Sequence, residues 1–391
     1  MISKRMLTAA DVSAFYALTV YAFNKRDSED RRRAFKQLYD NSRGYGLFVD
    51  DKLVSGFLGT PFGVNFYGQP FQMSGIGYVA SYPEFAGHGS ISQLMTLAFH
   101  DMHAQHVTLS YLAPFSDAFY RRFGYEDAFD QARHEMASRD LPRTKFPVAD
   151  GHVERLAFAD AIPLISKLHN EHPLNQHAGT NRQNWWWQYD VLKHPDWEVA
   201  VYFDAQETVQ GYLIYEREPD TFLIHECFVE TIAARQQLFN FVRKHQSAYR
   251  QFVYASGAPV QLHDLFADPQ TLKTQIVPYM MARIVDVADF LAKYPYQPAA
   301  DQTLAFNLED RFLPENEGTW RLTTHNGQTT AEKVTAPAEI TLTVQQLTKA
   351  AFGYRSLLSQ HQYGELTGSI TALQKLQRLL VTGQPMLWDY F

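Results

Sequence analysis

Apolar residues fall into runs whose period changes repeatedly along the chain, and each change marks a new element. Phe15, Leu18, Tyr21 and Ala22 recur at helical spacing after Ala9-Ala10-Asp11-Val12, predicting a helix with one buried face. Ser28 to Tyr39 reads as a second, solvated helix, because Glu29, Asp30, Arg31, Arg32 and Arg33 crowd together there. Gly46-Leu47-Phe48-Val49 and Leu53-Val54-Ser55-Gly56-Phe57-Leu58 are two strands joined by the polar turn Asp50-Asp51-Lys52. A further hairpin turns at Tyr67-Gly68-Gln69-Pro70 and feeds a strand through Gly75-Ile76-Gly77-Tyr78-Val79-Ala80-Ser81. Past a glycine loop, Ile91, Leu94, Met95, Ala98 and Met102 form one apolar helical stripe. Val107 to Leu112 is the next strand, and Ser116 and Gly124 are suited to cap a short helix between them.

The order then recurs weakly. Trp197 to Phe203, Val209 to Tyr215 and Phe222 to Val229 are strands, followed by a helix from Ile232 to His245 and a strand at Phe252-Val253-Tyr254-Ala255. Its strand-to-helix junction, Val229-Glu230-Thr231-Ile232-Ala233-Ala234, holds no glycine, so this copy reads as structural. Pro278 to Val287 and Tyr294-Pro295-Tyr296-Gln297-Pro298 mark another boundary. Beyond it lie strand-like runs at Leu304 to Leu308 and Thr319 to Thr323, then Ile340 to Thr343 leading into the helix Val344 to Phe352, and a last helix from Leu373 to Leu380.

Length and composition narrow the function. The chain has 391 residues, too many for one ordinary core, which predicts two or three domains. A net charge of -7 argues against nucleic acid or an anionic membrane as partner. The single Cys227 excludes an intrachain disulfide framework. No signal-peptide core and no long apolar run is present, so a cytoplasmic protein is expected. His100, His103 and His106 share a helix, but no carboxylate or cysteine completes a ligand set, and no metal is expected. Trp185-Trp186-Trp187 is expected to serve packing.

The chemistry concentrates in two stretches. Tyr82-Pro83-Glu84-Phe85-Ala86-Gly87-His88-Gly89 stands between a strand and a helix, where backbone N–H groups and the helix dipole suit a phosphate. Phe119-Tyr120-Arg121-Arg122-Phe123-Gly124-Tyr125-Glu126 follows one helix and one strand later. This order of strand, Gly-x-Gly turn, helix, strand and short helix resembles the coenzyme A half of a GNAT acetyltransferase. The last residues, Pro385-Met386-Leu387-Trp388-Asp389-Tyr390-Phe391, resemble the C-terminus of the Eis-type (enhanced intracellular survival) acetyltransferases.

The resemblance implies an α/β and α+β chain: two fused GNAT-like units, 1–150 and 151–290, followed by a sterol-carrier-protein-like domain, 291–391. It implies acetyl-CoA as co-substrate, a homohexamer, and a primary amine acceptor such as an aminoglycoside, a polyamine or a lysine side chain. Gly87, His88, Gly89, Ser90, Ile91 and Ser92 would hold the pyrophosphate. Val79, Ala80 and Ser81 would offer N–H groups to the thioester carbonyl and pantetheine, and Phe115 and Ser116 match the second CoA-contacting segment. Ser116 reads equally as a simple helix cap. Tyr120 aligns with the general acid that protonates the departing thiolate, and the terminal carboxylate of Phe391 belongs to the active site. Two positions depart from the family's loop: Ala86 stands where Arg or Gln is usual, and Ile91 where Gly or Ala is usual. They keep an alternative open, a catalytically degenerate scaffold that binds a lipid or a protein partner.

Overall fold

The computed structural model describes residues 1–142, 150–258 and 260–391. It divides into two units, one of Met1–Phe129, Tyr279–Pro385 and Tyr390–Phe391, the other of Asp130–Pro278 and Met386–Asp389.

The first unit opens with β1 (Ile2–Met6), which pairs antiparallel with β2 from Ile2↔Val49 to Met6↔Tyr45. Its Ser3-Lys4-Arg5 core carries no apolar alternation, because an exposed edge strand is kept polar. Two helices follow, α1 (Val12–Ala22) and α2 (Glu29–Asp40), and Ser28 Oγ starts α2 by accepting the Arg31 N–H at 3.2 Å. Then β2 (Arg43–Val49), β3 (Lys52–Phe66) and β4 (Gln69–Ser81) form successive antiparallel hairpins. The next elements are α3 (Ser90–Ala104), β5 (Leu109–Leu112), α4 (Asp117–Arg121) and the start of β6 (Glu126–Ala137), whose residues from Asp130 on belong to the second unit. The apolar stripe of α3 buries Leu94, Met95, Ala98, Phe99 and Met102 in one cluster with Ile76, Leu112, Phe123 and Tyr125. Ile91, at the start of that stripe, is only partly buried against it.

The second unit repeats the plan: β7 (His152–Ala157), α5 (Phe158–Glu171), β8 (His177–Asn181), α6 (Asn184–Lys193), β9 (Trp197–Phe203), β10 (Val209–Arg217), β11 (Thr221–Val229), α7 (Ile232–Lys244) and β12 (Gln251–Ser256). β11 and β12 run parallel from Thr221↔Gln251 to Ile224↔Tyr254. The same parallel relation joins β4 and β5, from Met73↔Leu109 to Ile76↔Leu112.

A buried ionic cluster holds this unit. Arg182 donates Nε to Asp389 at 2.8 Å and Nη2 to Glu226 at 2.6 Å, with all three side chains almost fully buried. Trp186 Nε1 also donates to Asp389 at 2.7 Å, Thr180 adds its hydroxyl, and His169 and Tyr212 meet Glu226. The guanidinium lies 4.4 Å over the Trp187 ring. Trp186 and Trp187 are thus buried, as packing requires. Breaking a buried charge pair leaves a desolvated ion, so Asp389→Ala is expected to destabilise the protein by about 3 kcal/mol. Urea unfolding checks this, and a loss under about 1 kcal/mol would mean that Glu226 alone satisfies Arg182.

β13 (Lys273–Ile284) ends in the first unit, where Met281–Ile284 pair antiparallel with β5. After it come α8 (Val287–Lys293), β14 (Gln302–Glu309), β15 (Gly318–His325), β16 (Gln328–Val334), β17 (Ile340–Thr343), α9 (Val344–Ala351), α10 (Leu357–Gln362) and α11 (Ile370–Leu379). The strands form a sheet in the order β16-β15-β14-β17. Arg283 ties this region to α4: it grips both oxygens of Asp310, at 2.7 and 2.6 Å, and donates Nη1 to the Phe123 carbonyl. Gly124, at φ 85°, leaves room for that guanidinium, since a Cβ there would meet Nη1 at 1.9 Å. Among the described residues, no helix is long and apolar enough to cross a membrane.

Candidate functional site

The β3–β4 ladder slips between Gly56↔Ala80 and Leu58↔Gly77, so β4 carries a bulge at Tyr78 and Val79. Tyr78 takes the left-handed conformation, φ 54°, which a tyrosine adopts only where the surroundings impose it. The rings of Phe35 and Phe23 pack edge-on to it, with centroids 5.5 and 5.9 Å from that of Tyr78. On its other side β4 pairs with β5 only as far as Ile76↔Leu112. Among the described residues, no strand pairs with Val79, Ala80 and Ser81 on that side. The bulge therefore leaves a stretch of backbone facing an opening between two parallel strands.

Ser81 leads to a pocket of about 150 Å³ at the start of α3, lined by Gly87, Gly89, Ser90, Ile91 and Ser92 together with Phe85, Ala86, Phe119 and Arg122. Gly87 and Gly89 have φ of 80° and 78°, and a Cβ on either would meet nothing within 4 Å. These glycines are required by backbone conformation. Gly89 caps α3 without a side-chain hydrogen bond, so the first-turn N–H groups of α3 are left for an outside acceptor. At the equivalent junction of the second unit, Thr231 Oγ1 accepts the Ala234 N–H at 3.1 Å and closes that end. One copy thus starts its helix without a side-chain cap and the other with one. His88 is exposed at the loop and does not line the pocket. Ile91 turns partly into the core, which tempers the intrusion expected of its branched side chain.

Tyr120 lies on α4 and is 2% exposed. Phe115, Phe119 and Tyr125 surround its ring, with centroids at 5.4, 5.1 and 6.2 Å. Burial, with Tyr125 and Tyr390 nearby, pushes its acidity well above the ordinary tyrosine range, so the phenol stays protonated. Ser116 Oγ accepts the Phe119 N–H at 3.4 Å and so caps the helix. Phe115 is 71% exposed and presents a bare aromatic face beside Tyr120.

The chain's end is ordered by two glycines of β4. The Phe391 ring lies tilted against that of Phe62, centroids 5.3 Å apart, and occupies the place a Gly75 side chain would take, 2.6 Å from a Cβ built there. Its carboxyl carbon lies 2.7 Å from a Cβ built on Gly77. Gly75 and Gly77 point to one face of β4, and only hydrogen there lets the terminus approach the strand. Phe391 itself is 6% exposed.

The sequence reading named Ser81, Gly87, Gly89, Ser90, Ile91 and Ser92, and the structure brings them to one pocket. It did not single out Phe85, Phe119, Gly75 or Gly77. The alternating glycines of Gly75-Ile76-Gly77 were the available signal, since glycine inside a strand marks close approach. Among the described residues, no group of three His, Cys, Asp or Glu side chains is placed to hold a metal ion.

Residues 3–128 and 179–284 each match an acetyltransferase (GNAT) domain, and residues 287–388 match a sterol carrier protein domain. An uncharacterized N-acetyltransferase of Streptomyces avermitilis is 24% identical over 91% of this chain and 90% of its own. The crystal structure of Eis1 from Mycobacterium abscessus shares the fold, with a TM-score of 0.82 at 19% identity over 100% of both chains. A conserved protein of unknown function from Enterococcus faecalis V583, described as a probable N-acyltransferase, is 36% identical over 100% of both chains, with a TM-score of 0.95. With two GNAT domains, a sterol-carrier-protein domain and that identity along its whole length, this chain belongs to the GNAT-domain N-acyltransferases.

Proposed function

We propose that this protein is an Eis-type acetyltransferase that moves the acetyl group of acetyl-CoA to a primary amine. The GNAT fold implies acetyl-CoA as co-substrate, and the open N-terminus of α3 with Gly87 and Gly89 suits its pyrophosphate. The observation that carries the reading is the terminal carboxylate of Phe391, seated over Gly77 on the strand whose bulge frees Val79 to Ser81.

In this mechanism the backbone N–H groups of the Val79–Ser81 stretch polarise the thioester carbonyl and stabilise the oxyanion as the amine attacks. The Phe391 carboxylate takes the proton that the amine loses, through a water. Tyr120, kept protonated by burial, gives its proton to the departing sulfur. No covalent enzyme intermediate is needed, and the oligomer is a hexamer by the same resemblance.

The test supplies acetyl-CoA with kanamycin, spermidine or a lysine peptide and follows thiol release and the acetylated product by mass. Transfer to at least one is expected. Saturable acetyl-CoA binding with no transfer to any amine would separate this protein from Eis-type chemistry.

A further inference from the structure

Two adjacent arginines end α4, and their surroundings differ. Arg121 is saturated: Nε donates to Glu126 at 2.9 Å and Nη2 to Asp127 at 2.6 Å. Arg122 has no carboxylate partner among the described residues. Its Nε donates to the Phe119 carbonyl at 3.3 Å, and its guanidinium lies 4.6 Å over the Phe119 ring and 5.6 Å from that of Phe123. Stacking on two rings restricts a flexible side chain, and no hydrogen bond from either Nη group is seen among the described residues.

That arginine lines the pocket at the start of α3, and among the described residues it is the one ionisable side chain there. The loop side contributes Ala86, Gly87, Gly89 and Ser90, which offer backbone N–H groups and a hydroxyl but no charge. A phosphate held only by neutral donors keeps its negative charge uncompensated, and a planar guanidinium with free donors is the usual complement. We infer that Arg122 is a specificity-determining residue for the co-substrate, supplying from α4 the phosphate-binding cation that the glycine loop lacks. The inference rests on the acetyl-CoA reading above. The phosphates concerned are the pyrophosphate or the 3′-phosphate of CoA, both of which present the same oxygens.

The test measures steady-state kinetics of the full chain and its Arg122→Ala and Arg122→Lys variants. Three acetyl donors are compared: acetyl-CoA, its 3′-dephospho form, and S-acetylpantetheine, which has no phosphate. For Arg122→Ala, KM for acetyl-CoA is expected to rise about ten- to hundredfold with kcat held, the scale of one charge-assisted contact. Arg122→Lys should recover part of the loss, because charge is kept while the fork is not. A loss that persists with dephospho-acetyl-CoA assigns the contact to the pyrophosphate; a loss confined to acetyl-CoA assigns it to the 3′-phosphate. Equal losses with all three donors would make Arg122 a merely structural support of α4 and overturn the inference. So would an unchanged KM for acetyl-CoA. Wild-type protein that shows no saturable binding of acetyl-CoA by calorimetry would overturn the acetyl-transfer reading itself, and this inference with it.

Discussion

Tyr120→Phe is expected to lower turnover by about 10²–10⁴, the usual scale for losing a positioned general acid, while the melting temperature hardly moves. The stability half of the expectation comes from the packing. The ring is enclosed by Phe115, Phe119 and Tyr125, which phenylalanine preserves, and no described residue hydrogen-bonds to the hydroxyl in this structure. A hydroxyl without an internal partner costs little to remove. The activity half rests on the acetyl-transfer reading: the phenol is protonated and uncommitted, so in that reading its proton is available to the departing thiolate. Single-turnover rates separate the two effects. A variant that folds and turns over normally would take Tyr120 out of the mechanism and leave the proton to water.

The second large effect concerns the terminus. Appending one glycine after Phe391, or amidating it, is expected to reduce acetylation at least about a hundredfold, on the scale of a lost proton acceptor. Chain ends are normally frayed and tolerant of extension. This one is not free, because its ring fills the space above Gly75 and its carboxyl carbon lies against Gly77. Gly77→Ala approaches the same point from the strand: its methyl group would stand 2.7 Å from the carboxyl carbon and force it away. The two changes should therefore depress kcat alike, although they touch opposite partners. Full activity after extension would sink the role of Phe391, whereas full activity in Gly77→Ala alone would show only that the tail can shift.

Many elements with a buried face were legible because burial writes its period into the chain, although α5, which buries Phe158, Ala161, Ile162, Ile165 and Leu168, was not read. The stripe of α3, the hairpins of β2 to β4 and the strands β9 to β11 all appeared as runs of the expected spacing. β1 and β16 were not, because each is a largely exposed strand in which no face demands apolar residues. The order of a strand, a Gly-x-Gly turn, a helix and a tyrosine-bearing short helix likewise marked the first GNAT domain, residues 3–128.

Partnership was beyond the sequence. Arg121 and Arg122 are neighbours with the same side chain, yet one is bound by two carboxylates and the other stacks on two rings beside a pocket. Val229-Glu230-Thr231 showed that a glycine was missing, but only the hydrogen bond from Ala234 to Thr231 shows the helix end closed. Gly75-Ile76-Gly77 marked a place where something comes close, without saying what. Periodicity and turn chemistry depend on neighbours in the chain, so the sequence by itself determined most elements of the first and last thirds, their order and the loop. Which charges are spent, which helix end stays open and what lies against a bare strand depend on residues far apart in sequence, and those the tertiary structure alone decided.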